Sequence, residues 1–407
     1  MIFYVRLAIT SLRSLESHFL RSLLATVGVL IGVGSVVACM SILEGATNRV
    51  MRNFRSLGSN LIFVTPATAR VEGRIVGRAQ TLRLDDIKAI TDELGIRLDA
   101  AAPQALGNAP IKYLQKTESF TLIATSDRYF EMNGFEAGAG RVLNPAESND
   151  DSANVVVLGW KVADELFGGM EPLGAAIKIR NTPYRVIGVM EKRGNVGFLD
   201  ADKAVFIPIR AGLKRFFNQA HLDFITLSVA KDQNIDAVKK DVERILRKEH
   251  NIRPGQPDDF EVDTLEETVQ NFNQFAVIFR VVFYSIAGIS LVVGGIGIMN
   301  IMLVSVTERT REIGVRMACG ARRWDILLQF LVESLVISLL GGGFGLLLGM
   351  MFADLLDKVL AGMFNTEITA TVVITALLTT TLVGVASGLY PAYKASRLDP
   401  VEALRYE

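Results

Sequence analysis

The densest cluster of positive charge in this 407-residue chain is SVTERTREIGVRMACGARRWD, residues 305–325, which contains five arginines. Two of these arginines follow acids at helical spacing. Glu308 lies three residues before Arg311, and Glu312 lies four residues before Arg316. Side chains at these spacings meet on a helix surface and stabilise the helix. Because arginine forms strong ion pairs with carboxylates and phosphates, the cluster could bind a partner protein or lipid headgroups.

A short helix is predicted around these charges, from Thr307 to Cys319, with Gly320 as the residue that ends it. Ile313 and Met317 lie on one face of this helix, and arginines lie on another. The residue types alone leave two roles open. One is a docking surface for a protein, and the other is a topology signal that contacts only lipid, since basic loops are the rule in membrane proteins.

Long apolar segments lie on both sides of the arginine cluster. A membrane helix needs about 20 apolar residues, and four segments of the chain reach that length almost without charge. Soluble proteins rarely contain even one such run, so the sequence predicts an integral membrane protein. The predicted transmembrane helices cover 22–43, 276–306, 326–353 and 368–393.

The distribution of basic residues predicts the orientation of the chain, because cytoplasmic loops are enriched in Lys and Arg. The loop 307–325, the N-terminal segment 1–21 and the tail 394–407 are basic, whereas the loop 354–367 carries mostly acids. We therefore expect both termini in the cytoplasm and residues 44–275 outside the membrane as an inserted domain.

The N-terminus has an alternative interpretation. SVVAC, residues 35–39, resembles a lipoprotein cleavage site, which would make the first apolar run a signal peptide. The hydrophobic part of a signal peptide has about 7 to 15 residues, which is shorter than the run 22–43, so we expect the anchor to be retained. Cys39 then lies in a span and Cys319 in a cytoplasmic loop, and no disulfide is expected between them.

The outer region 44–275 shows both strand and helix patterns. A helix is predicted over 44–57, ending at Gly58, and an amphipathic helix over 234–250. The first and last parts each resemble a strand–helix–strand unit, and a β-rich insert covers about 128–220 between them. The predicted fold is a bundle of four transmembrane α-helices with an inserted α+β extracytoplasmic domain of two lobes.

The residues of a catalytic, metal or cofactor site are not found in this sequence. No P-loop motif for ATP phosphates occurs, and His18, His221 and His250 lack the spacing of a zinc site. We predict that these histidines are solvated surface residues. The 43 basic and 43 acidic residues balance, so net charge indicates no partner, and no nucleic acid is expected to bind.

Glu333 is the one acid inside the four predicted spans. Ionisable groups inside a membrane are costly and are therefore functional candidates. A single acid is too little for a proton relay, so a bond between Glu333 and a neighbouring helix is the favoured role.

Glycines recur every fourth residue in the apolar segments, a spacing that lets membrane helices approach closely. We expect these glycines to pack helices within a bundle or a dimer, and not to bind a nucleotide. The pairs are Gly28 with Gly32, Gly341 with Gly345, Gly345 with Gly349, and Gly384 with Gly388.

Several ordered stretches of the chain resemble the MacB family of ABC transporter permeases, within the FtsX-like group. LVVGGIGIMNIMLVSVTERTREIGVRMACGARRWDILLQFLVES, residues 291–334, is similar to its permease part. LRSLLATVGVLIGVGSVVACMSILEGA, residues 20–46, resembles its first span, and RSLGSNLIFVTP, residues 55–66, resembles the start of its outer domain. GLYPAYKASRLDPVEALRYE, residues 388–407, resembles its C-terminal signature.

The resemblance implies a dimer, of identical or paralogous subunits, in the bacterial inner membrane. It also implies that the short helix between spans two and three is a coupling helix that docks on an ABC ATPase. MacB itself carries a fused ATPase, and this chain is expected to use a separate ATPase subunit, which would bind ATP and Mg. The coupling positions would be Glu308, Arg309, Thr310, Arg311, Glu312, Ile313, Gly314 and Arg316.

The function that the resemblance implies is export of amphiphiles, peptides or antibiotics, driven by motion relayed from the ATPase to the outer domain. In MacB-type systems a periplasmic adaptor and an outer-membrane channel complete the machine, and membrane lipid surrounds the spans. Two alternatives remain: a lipoprotein-extraction complex, and an FtsX-like regulator of a cell-wall hydrolase that transports nothing. Co-purified partners would separate the three.

Overall fold

The computed structural model describes residues 19–55, 60–71, 74–196, 199–359, 366 and 368–405. Most of the predicted N-terminal segment 1–21, the helix end at Gly58 and the acid Glu367 lie outside these ranges. The chain divides into two compact units. A membrane unit comprises Met1–Arg49 with Asn273–Glu407, and an outer unit comprises Val50–Phe272.

Long helices form the membrane unit. Within the described residues, four helices are long and apolar enough to cross a bilayer, so the predicted four-span bundle is confirmed. These helices are α1 (Phe19–Arg55), α8 (Leu265–Glu308), α10 (Arg323–Val359) and α11 (Ala370–Ser396). The short helices α9 (Thr310–Ala318) and α12 (Pro400–Arg405) complete the unit.

Two of the long helices extend well beyond the predicted spans. The helix predicted over 44–57 is the continuation of α1, which is unbroken as far as Arg55. Helix α8 begins at Leu265 because Thr264 and Glu267 form a reciprocal cap. The Thr264 N–H donates to the Glu267 carboxylate at 2.8 Å, and the Glu267 N–H donates to Thr264 Oγ1 at 3.1 Å.

The outer unit has the predicted α+β composition. Its remaining helices are α2 (Leu84–Leu94), α3 (Asp127–Met132), α4 (Pro145–Ser148), α5 (Trp160–Phe167), α6 (Ile209–Ala211, followed by a π-helix over Gly212–Phe217) and α7 (Ile235–Glu249). Its strands are β1 (Leu61–Pro66), β2 (Thr68–Val71), β3 (Arg74–Arg78), β4 (Leu98–Tyr113), β5 (Lys116–Thr125), β6 (Ala137–Gly140), β7 (Val155–Leu158), β8 (Ala176–Ile179), β9 (Thr182–Met190), β10 (Asn195–Val196), β11 (Leu199–Asp200), β12 (Ala204–Pro208), β13 (Phe224–Val229) and β14 (Phe260–Thr264).

One ten-stranded sheet runs through both predicted lobes, in the order β14-β1-β13-β4-β5-β12-β7-β9-β6, with β8 pairing β4 and β9. Strand β12 of the insert pairs in parallel with β5, which joins the insert to the rest of the sheet. One sheet face presents side chains such as Ile62 and Leu227 to the main hydrophobic core, where α2 and α7 cover it. The alternation of strand side chains leaves Leu61 and Phe63 on the opposite face.

The prediction that the histidines are solvated is wrong for His250. Its side chain is only 8% exposed, with Nδ1 2.7 Å from Asp259 and Nε2 3.3 Å from Asp86. The carboxylates of Asp86 and Asp259 raise the pKa of His250 to about 9. His250 is the residue that ends α7, and its acidic partner Asp86 is distant in sequence, so local spacing gave no sign of this contact.

Candidate functional site

The short helix α9 lies between two membrane helices. Helix α8 ends at Glu308, Arg309 leaves the helical conformation, and α9 begins at Thr310. After Ala318 the chain turns at Gly320, whose φ of +96° is readily adopted only by glycine. The observed helix is shorter than the predicted one at its start, because α8 continues through Thr307.

One face of α9 is buried within the membrane unit. Thr310 is 8% exposed and Ile313 is 2% exposed. A Cβ atom at Gly314 would lie 2.8 Å from the Cβ of Ala403 in α12, so the two short helices pack with almost no space between them. Thr310, Ile313 and Gly314, which are among the predicted docking positions, thus lie on the face of α9 that packs within the membrane unit.

The opposite face is exposed and mixes charge with apolar surface. Arg311, Glu312 and Val315 of α9 are exposed at spacings of three and four residues, which places them on one stripe, and Glu308, the last residue of α8, is also exposed. We call these four residues the exposed stripe. Val315 is 47% exposed, a large fraction for a valine in the middle of a helix. A stripe with both charges and an exposed apolar side chain has the character of a protein-binding surface.

Two of the predicted docking arginines turn back toward the bundle. Arg316 donates from Nη1 to Gln329 Oε1 of α10 at 2.7 Å and also pairs with Glu312. Arg309 Nη1 lies 3.6 Å from Glu333 Oε1. The Arg309 side chain is 28% exposed, and the Glu333 side chain is 5% exposed. These contacts fasten both ends of α9 to α10.

Glu333 therefore forms an ion pair with a residue outside its own helix. The role favoured from the sequence, a bond between Glu333 and a neighbouring helix, requires such a contact. The pair joins the junction of α8 and α9 to the interior of α10. Because an unpaired carboxylate is costly in a membrane, contact with the Arg309 guanidinium offsets part of that cost.

The remaining arginines of the cluster are exposed. Arg322 and Arg323 lie where α10 begins, next to Trp324, which is 63% exposed. Basic residues beside an exposed tryptophan are typical of the membrane interface. They add exposed positive charge to the membrane unit.

The predicted glycines of α1 and α10 face each other. A Cβ atom at Gly345 would lie 2.6 Å from the Leu30 carbonyl, and one at Gly349 would lie 2.6 Å from the Gly34 carbonyl. At Gly341 the nearest atom would be the Thr26 carbonyl at 3.2 Å. No side chain fits at Gly345 or Gly349 unless α1 moves.

The remaining predicted glycines meet other helices. A Cβ at Gly28 would lie 2.7 Å from Gly294 of α8, and one at Gly32 would lie 2.9 Å from Leu291. Between α10 and α11, Gly384 meets Ser338 at 2.8 Å, and Gly388 meets Ser334. All seven predicted glycines thus make close contacts within a single chain.

Several packing residues were missed by the sequence analysis. Gly294 and Gly34 have no glycine four residues away and so fall outside the pattern, although each touches a backbone of another helix. Ser338 donates from Oγ to the Thr380 carbonyl at 2.6 Å and links α10 to α11. The small size of these residues was the one sign in the sequence that helices approach closely there. The sequence does not show which small residues of different helices face each other.

In the part of the chain that the structure describes, no group of three His, Cys, Asp or Glu side chains is arranged to hold a metal ion. The exposed side chains of α9 could recognise a partner by charge and shape.

Comparison with known proteins gives two family matches that together cover most of the chain. A model described as the MacB-like periplasmic core domain matches residues 22–245. A model described as the FtsX-like permease C-terminal domain matches residues 284–400.

Two named relatives are similar over almost the whole chain. The macrolide export ATP-binding/permease protein MacB of Bdellovibrio bacteriovorus is 39% identical over 97% of this chain and 61% of its own length. The probable syringafactin export ATP-binding/permease protein SyfD of Pseudomonas syringae is 36% identical over 96% of this chain and 58% of its own length. The chain thus spans about three fifths of the relatives that it matches.

A solved structure, the periplasmic region of MacB from Actinobacillus actinomycetemcomitans, is similar to the chain with a TM-score of 0.46 and 20% identity. It covers 55% of this chain and 98% of its own.

Proposed function

Since this chain belongs to the MacB-type family of FtsX-like permeases and is a multi-pass protein of the bacterial inner membrane, we propose that it is the permease of an ABC exporter. In this proposal an ATPase docks on α9 from the cytoplasm, and its ATP-driven motion is relayed to the outer unit. The cargo class is amphiphiles, peptides or antibiotics. The names of the relatives, which specify macrolide and syringafactin export, support this class.

One observation carries the proposal: α9 is fastened to the bundle and yet presents an exposed stripe. Its buried face packs on α12, and Arg309 and Arg316 bind α10. A push on the exposed stripe would therefore move α10, and not α9 alone. Helices α1 and α8 contribute residues to both units and would carry such motion outward.

ATP and Mg would be bound by the ATPase, because the 407 residues contain no P-loop. We propose that two copies of this permease, or this permease and a paralogue, form the working dimer. A periplasmic adaptor and an outer-membrane channel would complete an exporter of this kind. Lipoprotein extraction and regulation of a cell-wall hydrolase are the alternatives that co-purification would reveal.

The test is a charge reversal on the exposed stripe. Glu308→Arg with Arg311→Glu should leave membrane insertion intact and abolish association with the ATPase in a pull-down, since both side chains are exposed. The matched control reverses Asp354 and Lys358, an exposed pair at the other end of α10 with a separation of 2.7 Å. Normal ATPase association of the stripe variant would contradict the proposal.

The orientation has its own test. Cys319 is exposed and Cys39 is partly buried, so Cys319 is a natural reporter at the end of α9. In spheroplasts a membrane-impermeant maleimide should leave Cys319 unlabelled until the membrane is permeabilised. A cysteine introduced by Lys358→Cys should react at once. Labelling of Cys319 from outside would overturn the cytoplasmic position of α9 and both termini.

A further inference from the structure

The outer unit contains a cavity of about 340 Å³ on one face of its sheet. Residues on three paired strands form one side of the cavity, which we call its floor. Asp263 of β14 is the register partner of Phe63 in β1, and Phe63 is the partner of Thr226 in β13. Partners in register point to the same sheet face. The opposite face, with Ile62 and Val64, is fully buried in the main core, so the cavity belongs to the second face alone.

The walls of the cavity are mainly apolar and aromatic. Phe54 of α1, Tyr129 of α3 and Leu199 of β11 close it above the floor. The Tyr129 ring is 7% exposed and packs against the ring of Phe206 at 6.1 Å between centroids. A cavity of this size lies within the range of about 300 to 1,000 Å³ that small-molecule sites occupy.

Asp263 is the one charged residue among those that line the cavity. Lys239 acts on Asp263 electrostatically, but it is already bonded to Glu267 at 2.7 Å. The site therefore carries one negative charge in excess. Burial raises the pKa of Asp263, since a carboxylate is poorly solvated against apolar walls.

Two neutral polar side chains of the lining already donate hydrogen bonds within the protein. Gln104 donates from Nε2 to Thr226 Oγ1 at 2.7 Å, and Asn133 donates from Nδ2 to the Tyr129 carbonyl at 2.8 Å. A ligand would thus find apolar surface, aromatic faces and a single acceptor of positive charge. Aromatic faces also attract cations, which adds to the preference set by the carboxylate.

We propose that this cavity binds small amphiphiles that combine an apolar body with an ammonium group, the body lying between Phe54 and Tyr129 and the ammonium lying at Asp263. The ammonium would form a charge-assisted hydrogen bond with the carboxylate, which is stronger than a bond between neutral groups. An anion of the same shape would be repelled. This site is assigned from the outer unit alone and does not depend on the proposed transport function.

The experiment measures binding to the full chain in lipid nanodiscs by isothermal titration, with empty nanodiscs to subtract partition into lipid. The ligands are 4-phenylbutylamine, 4-phenylbutan-1-ol and 4-phenylbutyrate, which share one apolar body and differ in charge. The amine should bind most tightly and the carboxylate most weakly. Asp263→Asn should weaken binding of the amine by about tenfold and leave the alcohol within about twofold, because the apolar walls are unchanged.

The matched control is Asp232→Asn, an exposed acid of the same unit outside the cavity, which should bind all three ligands as the native chain does. Leu106→Trp, which adds bulk inside the cavity, should weaken the amine and the alcohol together. Equal affinity for the three ligands, absence of binding, or an amine affinity that Asp263→Asn leaves unchanged would each overturn the proposal. Loss of the alcohol in Asp263→Asn would overturn the assigned ligand class.

Discussion

The two units of this protein are packed in opposite ways. In the membrane unit, helices meet where side chains are absent, as at Gly345 of α10 against the Leu30 carbonyl of α1. In the outer unit, elements meet through large side chains. Phe206 and Tyr184 are 1% exposed or less, and Phe206 packs against the Phe130 ring at 5.3 Å between centroids.

The difference follows from the solvent of each unit. Water drives apolar side chains of the outer unit together. Lipid tails are as apolar as leucine, so membrane helices gain little from burying side chains and associate through close backbone contact and hydrogen bonds. Ile289 and Leu382 of the membrane helices are accordingly 68% and 69% exposed in the single chain. The outer unit should thus be sensitive to loss of volume, and the membrane unit to added volume.

The largest expected effect is loss of volume in the outer unit. Phe206→Ala should lower the free energy of unfolding of that unit by about 3 to 5 kcal/mol, because it removes a fully buried ring and leaves a cavity. Hydrogen exchange measured by mass spectrometry should show faster exchange in β12 and β5. The control is Phe344→Ala on α10, where the ring is 60% exposed, and a change of less than about 1 kcal/mol is expected. Equal losses of stability in Phe206→Ala and Phe344→Ala would contradict the proposed difference between the two units.

Added volume in the membrane unit should have the next largest effect. Gly345→Leu should destabilise the bundle by about 2 to 3 kcal/mol, because a Cβ alone would lie 2.6 Å from a carbonyl of α1. A thermal melt and an oligomer profile in detergent would detect the change. Gly343→Leu is the matched control two residues away, where a Cβ meets nothing within 4 Å. If both variants melt at the same temperature, the close contact between Gly345 and α1 does not determine the stability of the bundle.

The ion pair of the membrane unit gives a smaller effect. Arg309→Ala should cost about 2 kcal/mol, because it removes the cation beside a buried carboxylate. Adding Glu333→Gln to it should recover part of this loss, since the amide carries no charge. Thermal melts of the two single variants and the double variant would measure the coupling. Additive losses in the double variant would show that the two side chains do not interact.

The smallest expected effect is a pH dependence confined to the outer unit. The pKa of His250 is raised from its usual value near 6.5 to about 9 in the folded chain. Its contribution to stability is therefore complete below about pH 6.5 and is lost as pH rises through about 9. Between pH 7 and pH 9.5 the native outer unit should lose about 1 to 2 kcal/mol.

Hydrogen exchange of α2 and α7 at the two pH values would measure this loss. His250→Gln provides the control, since a side chain that does not titrate should remove the pH dependence and leave the rest of the unit folded. The membrane unit should show no matching step. A pH response that persists in His250→Gln would assign it to other groups.

The fold class could be predicted from the sequence because its signals are local. A charge-free run identifies a span, and the 3.6-residue period of α7 identifies a helix with one buried face. The identity of facing helices is not local. The Gly-x-x-x-Gly spacing marks Gly28 as a close contact, but nothing in that spacing names Gly294 as its partner.

The candidate site shows the same limit. The residue types of α9 indicate a charged helix, yet Arg309 and Arg311 look alike in the sequence, and only the former contacts Glu333. Which arginine is exposed depends on how α9 packs against α10 and α12. The cavity beside Asp263 escaped prediction for a similar reason, because three strands from distant parts of the chain meet there.

The order of Arg309 and Glu333 along the chain matters for biosynthesis. A ribosome makes the chain from its N-terminus, so the guanidinium emerges before the third span is translated. An uncompensated acid in the bilayer costs about 3 kcal/mol during insertion by the translocon. When the third span enters the lipid, the Arg309 guanidinium has already been synthesised and can pair with Glu333. The chain then avoids a state in which Glu333 lies in the membrane without a counter-charge.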